Sequence, residues 1–169
     1  ARALDGRAYA AAALTILERL SGSKDLQQHP FMTERPGKTA LVIITSDKGL
    51  AGALNSNVIR ATERAIEERG IAKDDLVIIA IGRRGGDYFL NRGYDVRIKH
   101  ENIGDAVSET DMRMVTEQVL TWHDAGEIGS CFISYMNFLS TCEQKPVIRQ
   151  ILPIRPDMIQ ELVQGIVPV

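Results

Sequence analysis

The sequence predicts an α/β domain, a Rossmann-like and mostly parallel sheet with helices on both faces, and three observations carry that reading. Leu41-Val42-Ile43-Ile44 and Leu76-Val77-Ile78-Ile79-Ala80-Ile81 are short apolar runs rich in β-branched residues, the pattern of strands covered on both faces. A segment with apolar residues at helical spacing follows each run, so strand and helix alternate as they do in a parallel sheet. A chain of 169 residues with 44% hydrophobic and 25% charged residues has the material for one globular core, with room for an appended segment.

Residues 1 to about 20 are alanine-rich and read as a helix, with Leu4, Leu14, Leu17 and Leu20 joined by Tyr9, Ala13 and Ile16; Gly6 is the one residue against it. Leucines at three- and four-residue spacing among alanines suit a seam with a partner helix, and equally a helix lying on its own domain. Ser21-Gly22-Ser23 ends this helix, and the span 24–38, holding Pro30 and Pro36, reads as a linker. The first strand then runs from Thr39 to Thr45. The stretch Ser46-Asp47-Lys48-Gly49-Leu50-Ala51-Gly52-Ala53-Leu54-Asn55-Ser56-Asn57 turns it into a helix from about Asn55 to Arg69. That helix sets Val58, Ile59, Thr62, Ala65 and Ile66 on one face and closes at Gly70.

The second strand, from Leu76 to Ile81, leads through Gly82-Arg83-Arg84-Gly85-Gly86 into a short helix that ends by Gly93. Tyr94 to Lys99 alternates like a strand near an edge. A longer helix extends from its N-cap Ser108 to about Asp124, with Met112, Val115, Val119 and Trp122 on one face and Gly126 or Gly129 closing it. Cys131 to Phe138 is a fourth strand. Pro146 to Ile154 is a fifth, antiparallel because the connection from Leu139 to Lys145 is short. The domain so defined spans 39–156, and 157–169 begins a further helical segment. The chain starts at Ala1 inside a helix, as a fragment would.

Composition excludes several classes of function. Twenty basic against 22 acidic residues give a net charge of −2, so no bulk field draws the chain to nucleic acid or an anionic membrane. No apolar run reaches the roughly 20 residues that span a bilayer, and the chain reads as soluble. Cys131 and Cys142 form neither a metal-ligand spacing nor a disulfide framework and read as reduced thiols.

Motifs for chemistry fall short of their templates. Gly37-Lys38-Thr39 resembles the end of a P-loop, but Met32 stands where the loop's first glycine belongs, and the triplet precedes a strand where the motif needs a helix. Gly49-x-x-Gly52 follows a strand and opens a helix, where backbone N–H groups favour a phosphate, yet it lacks one glycine of the dinucleotide fingerprint. Two readings stand: a phosphate cradle in an α/β enzyme domain, or a tight turn with Asp47 and Asn55 capping backbone N–H groups. Gly82-Arg83-Arg84-Gly85-Gly86 also lacks the fingerprint, although Arg83 and Arg84 could meet a phosphate or an acidic protein surface. His29, His100 and His123 pair with no carboxylate or cysteine at ligand spacing, and His123 reads as a helix-end residue. No catalytic, cofactor-binding or metal-ligating set emerges.

Read as a motif, Ser46-Asp47-Lys48-Gly49-Leu50-Ala51-Gly52-Ala53-Leu54-Asn55 resembles the signature of the γ subunit family of F-type ATP synthases, with Lys48 and Ala51 departing from its usual arginine and cysteine. Ile81-Gly82-Arg83-Arg84-Gly85 with Tyr88-Phe89, then Tyr135-Met136-Asn137-Phe138-Leu139-Ser140, Gln144-Lys145-Pro146 and Ile151-Leu152-Pro153-Ile154, follow in the family's order. Met136 and Asn137 depart from it. The resemblance implies a non-catalytic rotor subunit, the central stalk that couples proton-driven rotation of the c-ring to ATP synthesis or hydrolysis on the α and β subunits. It implies that residues 1–23 are the end of a long coiled-coil helix, that a second long helix belongs after Val169, and that the α/β domain is the foot meeting ε and the c-ring. It implies no bound nucleotide or cofactor; Lys48, Arg83 and Arg84 are candidates for surface contacts with neighbouring subunits, the other reading of each being a solvated surface charge. The resemblance also implies a place peripheral to the membrane. That place is the cytoplasmic face of a bacterial inner membrane, or the matrix side of a mitochondrial one.

Overall fold

The computed structural model describes residues 4–26, 28–48, 53–101, 107–140 and 142–163. Its strands are β1 (Lys38–Ile44), β2 (Leu76–Ile81), β3 (Asp95–His100), β4 (Ile128–Phe138) and β5 (Gln144–Leu152). They form one sheet in the order β3-β2-β1-β4-β5; β1 pairs parallel with β2 and β4, β2 parallel with β3, and β4 antiparallel with β5. The helices are α1 (Leu4–Leu20), α2 (Leu54–Glu68), α3 (Arg83–Leu90), α4 (Glu109–Asp124) and α5 (Pro156–Val163).

Strand periodicity divides the interior into two cores. Ala40, Val42 and Ile44 of β1 point to a core shared with Tyr9, Ala12 and Ile16 of α1 and Met112, Val115 and Val119 of α4. Leu41 and Ile43 point the other way, to Val58, Ile59 and Ile66 of α2 and Phe89 of α3. Every residue of β2 is buried, as expected of a central strand covered on both faces. The edge strand β3 alternates exposed and half-buried residues, and its Arg97 pairs with Asp95 and Glu127 while Lys99 pairs with Asp87. Charges of this kind blunt an open edge against pairing with another chain. Helices on both faces, the edge position of β3 and the reversal at β5 agree with the sequence.

The ends of α4 follow from its sequence. Ser108 Oγ accepts the Asp111 N–H at 3.0 Å, and of the two candidate glycines it is Gly126, at φ +79°, that closes the helix. Its N–H donates to the His123 carbonyl at 3.0 Å, and that of Glu127 to the Trp122 carbonyl at 2.9 Å.

Three expectations are sharpened. β4 starts at Ile128, before Cys131, because Lys38 of β1 already pairs there; Gly129 and Ser130 hid this from a propensity reading. The span 24–38 is more than a connection. Phe31 lies on a 3-10 turn, Pro30–Met32, is 4% exposed in the α1 core, and its carbonyl accepts the Ile154 N–H at 2.7 Å. A lone aromatic among polar residues and prolines gives no periodic signal, so its anchoring role was not visible. Finally, the α1 leucines do not act together. Leu20 is buried, Leu17 is half-buried and Leu14 is exposed, while Tyr9, Ala12, Ala13 and Ile16 make the buried face. The Leu4 side chain lies outside the described residues, as does the proposed stop at Gly165.

Candidate functional site

The crossover from β1 to α2 lies beside the start of α3, at the carboxyl ends of the parallel strands, where open α/β sheets bind ligands. Asn55, in the first turn of α2, reaches back across it. Its Oδ1 accepts the Ser46 N–H at 3.0 Å, and its Nδ2 donates to Ser46 Oγ at 2.8 Å and to the Lys48 carbonyl at 3.4 Å. Ala53 precedes α2 without a side-chain cap, so the asparagine serves the loop and not the helix end. Gly49 and Gly52, the pair on which a phosphate cradle would depend, lie outside the described residues.

The same loop caps α3. Three successive N–H groups of its first turn each have an acceptor: Arg83 on Asp47 Oδ1 at 2.9 Å, Arg84 on the Ser46 carbonyl at 3.1 Å, and Gly85 on Thr45 Oγ1 at 2.8 Å. These are the donors a helix start would otherwise offer to an anion. The Arg83 guanidinium folds back onto the Asp47 carbonyl, with Nε at 3.3 Å and Nη2 at 3.2 Å. Asp47 is therefore a cap, as the sequence suggested, and the helix it caps is α3. Its partner stands 36 positions away, a pairing that no local pattern encodes.

The glycines of Gly82-Arg83-Arg84-Gly85-Gly86 are explained by packing. Gly82 sits at φ +92°, and a Cβ there would lie 1.9 Å from the Thr45 carbonyl oxygen. A Cβ on Gly85 would come within 3.1 Å of the Thr45 side chain, and one on Gly86 within 3.0 Å of Ala80 Cβ. The run seats α3 directly on the strand ends. Gly37-Lys38-Thr39 likewise opens β1 and no helix, as its sequence context implied.

Between α2 and α3 runs an open groove of about 610 Å³, lined by Arg60, Glu63, Arg84, Asp87, Tyr88 and Arg92 among others. Several of its charges are engaged by neighbouring side chains. Tyr88 Oη donates to Glu63 Oε1 at 2.9 Å, Arg92 stacks on the Tyr88 ring at 3.5 Å, and Lys99 holds the Asp87 carboxyl below its ordinary range. No cluster of three metal-ligating side chains exists among the described residues. Cys131 is buried, and that burial pushes its thiol up, away from nucleophilic character. His100 lies on the edge strand β3 and His123 inside the core, so these two histidines are not brought together.

The remaining candidate surface is the outward side of α1. Arg7, Ala10 and Leu14 follow one another at helical spacing away from the core, with Leu14 49% exposed, and Leu17 borders this strip while packing partly against the core. Ion pairs Arg19–Glu117 and Arg113–Glu18, both at 3.0 Å, fasten α1 to α4 beside this strip. No described helix is long and apolar enough to cross a membrane.

The fold defines a doubly wound α/β domain carrying an amino-terminal helix whose outward face, at Leu14, is exposed among the described residues. A family model described as ATP synthase matches residues 1–165, and the chain belongs to that family. Among the curated relatives it matches are ATP synthase gamma chains. It is 33% identical to the ATP synthase gamma chain of Staphylococcus saprophyticus, over 82% of this chain and 48% of that one. With the Geotalea daltonii gamma chain it shares 34% identity, over 89% of this chain and 52% of the other. The chain thus spans about half the length of the curated relatives it matches. In fold it resembles a chain of the central stalk and c-ring structure of Tetrahymena thermophila mitochondrial ATP synthase, with TM-score 0.58, 20% identity, and 89% and 71% of the two chains covered. A rotor structure of the Euglena gracilis enzyme gives TM-score 0.51 at 18% identity, covering 94% and 58%.

Proposed function

We propose that this chain serves as the foot and the adjoining shaft-helix end of a γ-type rotor subunit, coupling c-ring rotation to ATP synthesis or hydrolysis on α and β subunits. The observation that carries this reading is the crossover: Ser46, Asp47 and Asn55, described residues of the stretch that resembles the γ signature, join β1, α2 and α3 to one another. Thr45, Ser46 and Asp47 satisfy the first turn of α3, and Asn55 satisfies Ser46. A body whose two cores share a fully buried central strand is stiff, and stiffness is what torque transmission requires.

In this reading the subunit is non-catalytic. The strip Ala10-Leu14-Leu17 receives a second long helix as a coiled-coil partner, and residues 1–23, 24–38, 39–156 and 157–169 divide the work as shaft end, strap, foot and return segment. Partners are α, β, ε and the c-ring, with no nucleic acid, and the protein is held peripherally at the membrane, on the cytoplasmic face in bacteria or the matrix side in mitochondria. Affinity purification of the whole protein from detergent-solubilised membranes tests it: ε and c-ring subunits are expected to co-purify. Recovery of the protein alone, from membranes that hold an intact ATP synthase, overturns it.

A further inference from the structure

Two of the three histidines meet over one aromatic ring. The His29 imidazole lies 4.6 Å from the Phe31 ring at 61°, and His123 approaches the same ring at 5.3 Å and 71°. His29 Nδ1 accepts the Phe31 N–H at 3.0 Å, which starts the Pro30–Met32 turn, and the Met32 N–H follows onto the His29 carbonyl at 2.9 Å. His123 is 0% exposed, and neither of its ring nitrogens has a hydrogen-bond partner among the described residues. Further along, the Arg35 carbonyl rests against Gly129, where a Cβ would lie 1.9 Å from the oxygen. The segment from His29 to Arg35 is thus a strap between α1 and β1, fastened to the body at Phe31.

We propose that this strap is an acid-opened latch, in which protonation of His123 releases Phe31 and loosens the link between α1 and β1. A protonated His123 is a charge buried without a partner. The charged groups facing it are Arg35 and His29 on the strap, which both oppose it, and Asp124 on α4, which favours it. Asp124 is half-exposed and already 3.8 Å from Arg19, so its help is screened. The C-terminal end of α4 also favours a cation, but this dipole effect is smaller than the penalty of burying an unpaired imidazolium.

Burial holds the His123 pKa below its ordinary 6.5. Because the folded value is depressed, the unfolded or opened form binds the proton first. The closed strap is therefore fully stable above pH 6.5 and loses stability as pH falls below it. The latch is a property of the folded chain and stands apart from the rotor reading.

Hydrogen–deuterium exchange of the full chain at about pH 7.5 and pH 5, corrected for the intrinsic pH dependence of amide exchange, tests it. Protection of the Phe31 and Met32 amides is expected to fall at least about tenfold at the lower pH, with β1 amides unchanged. In the variant H123F the fall is expected to vanish, since phenylalanine carries no charge. Equal protection at both pH values in the parent chain, or an equal fall in H123F, overturns the latch. Should H123F prevent folding, H123Q decides in its place: no fall supports the latch, and a fall equal to the parent's overturns it.

Discussion

Asp47 and Arg83 bond to each other in both directions across the crossover: Asp47 Oδ1 accepts the Arg83 N–H at 2.9 Å, and the Arg83 guanidinium donates to the Asp47 carbonyl at 3.2 and 3.3 Å. The first contact is a helix cap. Its loss in D47A is expected to lower stability by about 1 kcal/mol, the usual worth of an N-cap side chain, while D47N keeps an acceptor and stays close to the parent. Urea denaturation followed by circular dichroism measures both, and a D47A variant as stable as the parent contradicts the capping role.

Gly82 and Gly70 separate two reasons for a glycine. Gly70 has φ +64° and open space, with nothing within 4 Å of where a Cβ would stand, so G70A carries the left-handed strain alone, about 1 kcal/mol. At Gly82 the same kind of strain, roughly 1–3 kcal/mol, is joined by overlap with the Thr45 carbonyl 1.9 Å away. G82A is expected to be clearly the more damaging in thermal melts and to weaken the seating of α3 on β1. Equal melting temperatures for the two variants would show that Thr45 can move aside.

How much of this was legible in the chain depends on how local each signal is. The apolar runs that became β1 and β2, the amphipathic face of α2 and the Ser108 cap depend on neighbours within a few positions, and they were readable. The crossover was legible as a family resemblance in its residues but not in its wiring, because Asp47 finds Arg83 only after β2 pairs with β1. Phe31 was hidden for the same reason. Its partner His123 comes from the far end of α4, and each residue alone is ordinary in its own segment.

The competing reading of the corner, a phosphate or nucleotide cradle at Gly49–Gly52, has a direct test in calorimetric titration with ATP, ADP and NAD. No binding in the micromolar range is expected. Gly49-x-x-Gly52 lacks one glycine of the dinucleotide fingerprint. At the neighbouring start of α3 the first three N–H groups are already bonded to Asp47, Ser46 and Thr45, so an anion arriving at that helix has to displace three hydrogen bonds, each with a net worth of about 1 kcal/mol. Micromolar binding that is lost in G49V or G52V would restore the cradle and remove the rotor reading's main support.

Leu14 and Ile16 lie two positions apart on α1 but face opposite surroundings, and the pair separates the fold from its proposed use. Ile16 is fully buried against the sheet, so I16A is expected to cost about 2–5 kcal/mol in the chain itself. Leu14 is 49% exposed, and L14A is expected to change the chain's stability by less than about 0.5 kcal/mol. If the strip of Ala10, Leu14 and Leu17 receives a second helix, the same leucine becomes a buried seam residue in the whole protein, where L14D sets a charge into an apolar interface. There L14D is expected to reduce both the melting temperature and the yield of assembled complex, while leaving the isolated chain folded. A whole protein that tolerates L14D as readily as the chain does would mean that this face meets water in both, and the coiled-coil role of α1 would then have to be abandoned.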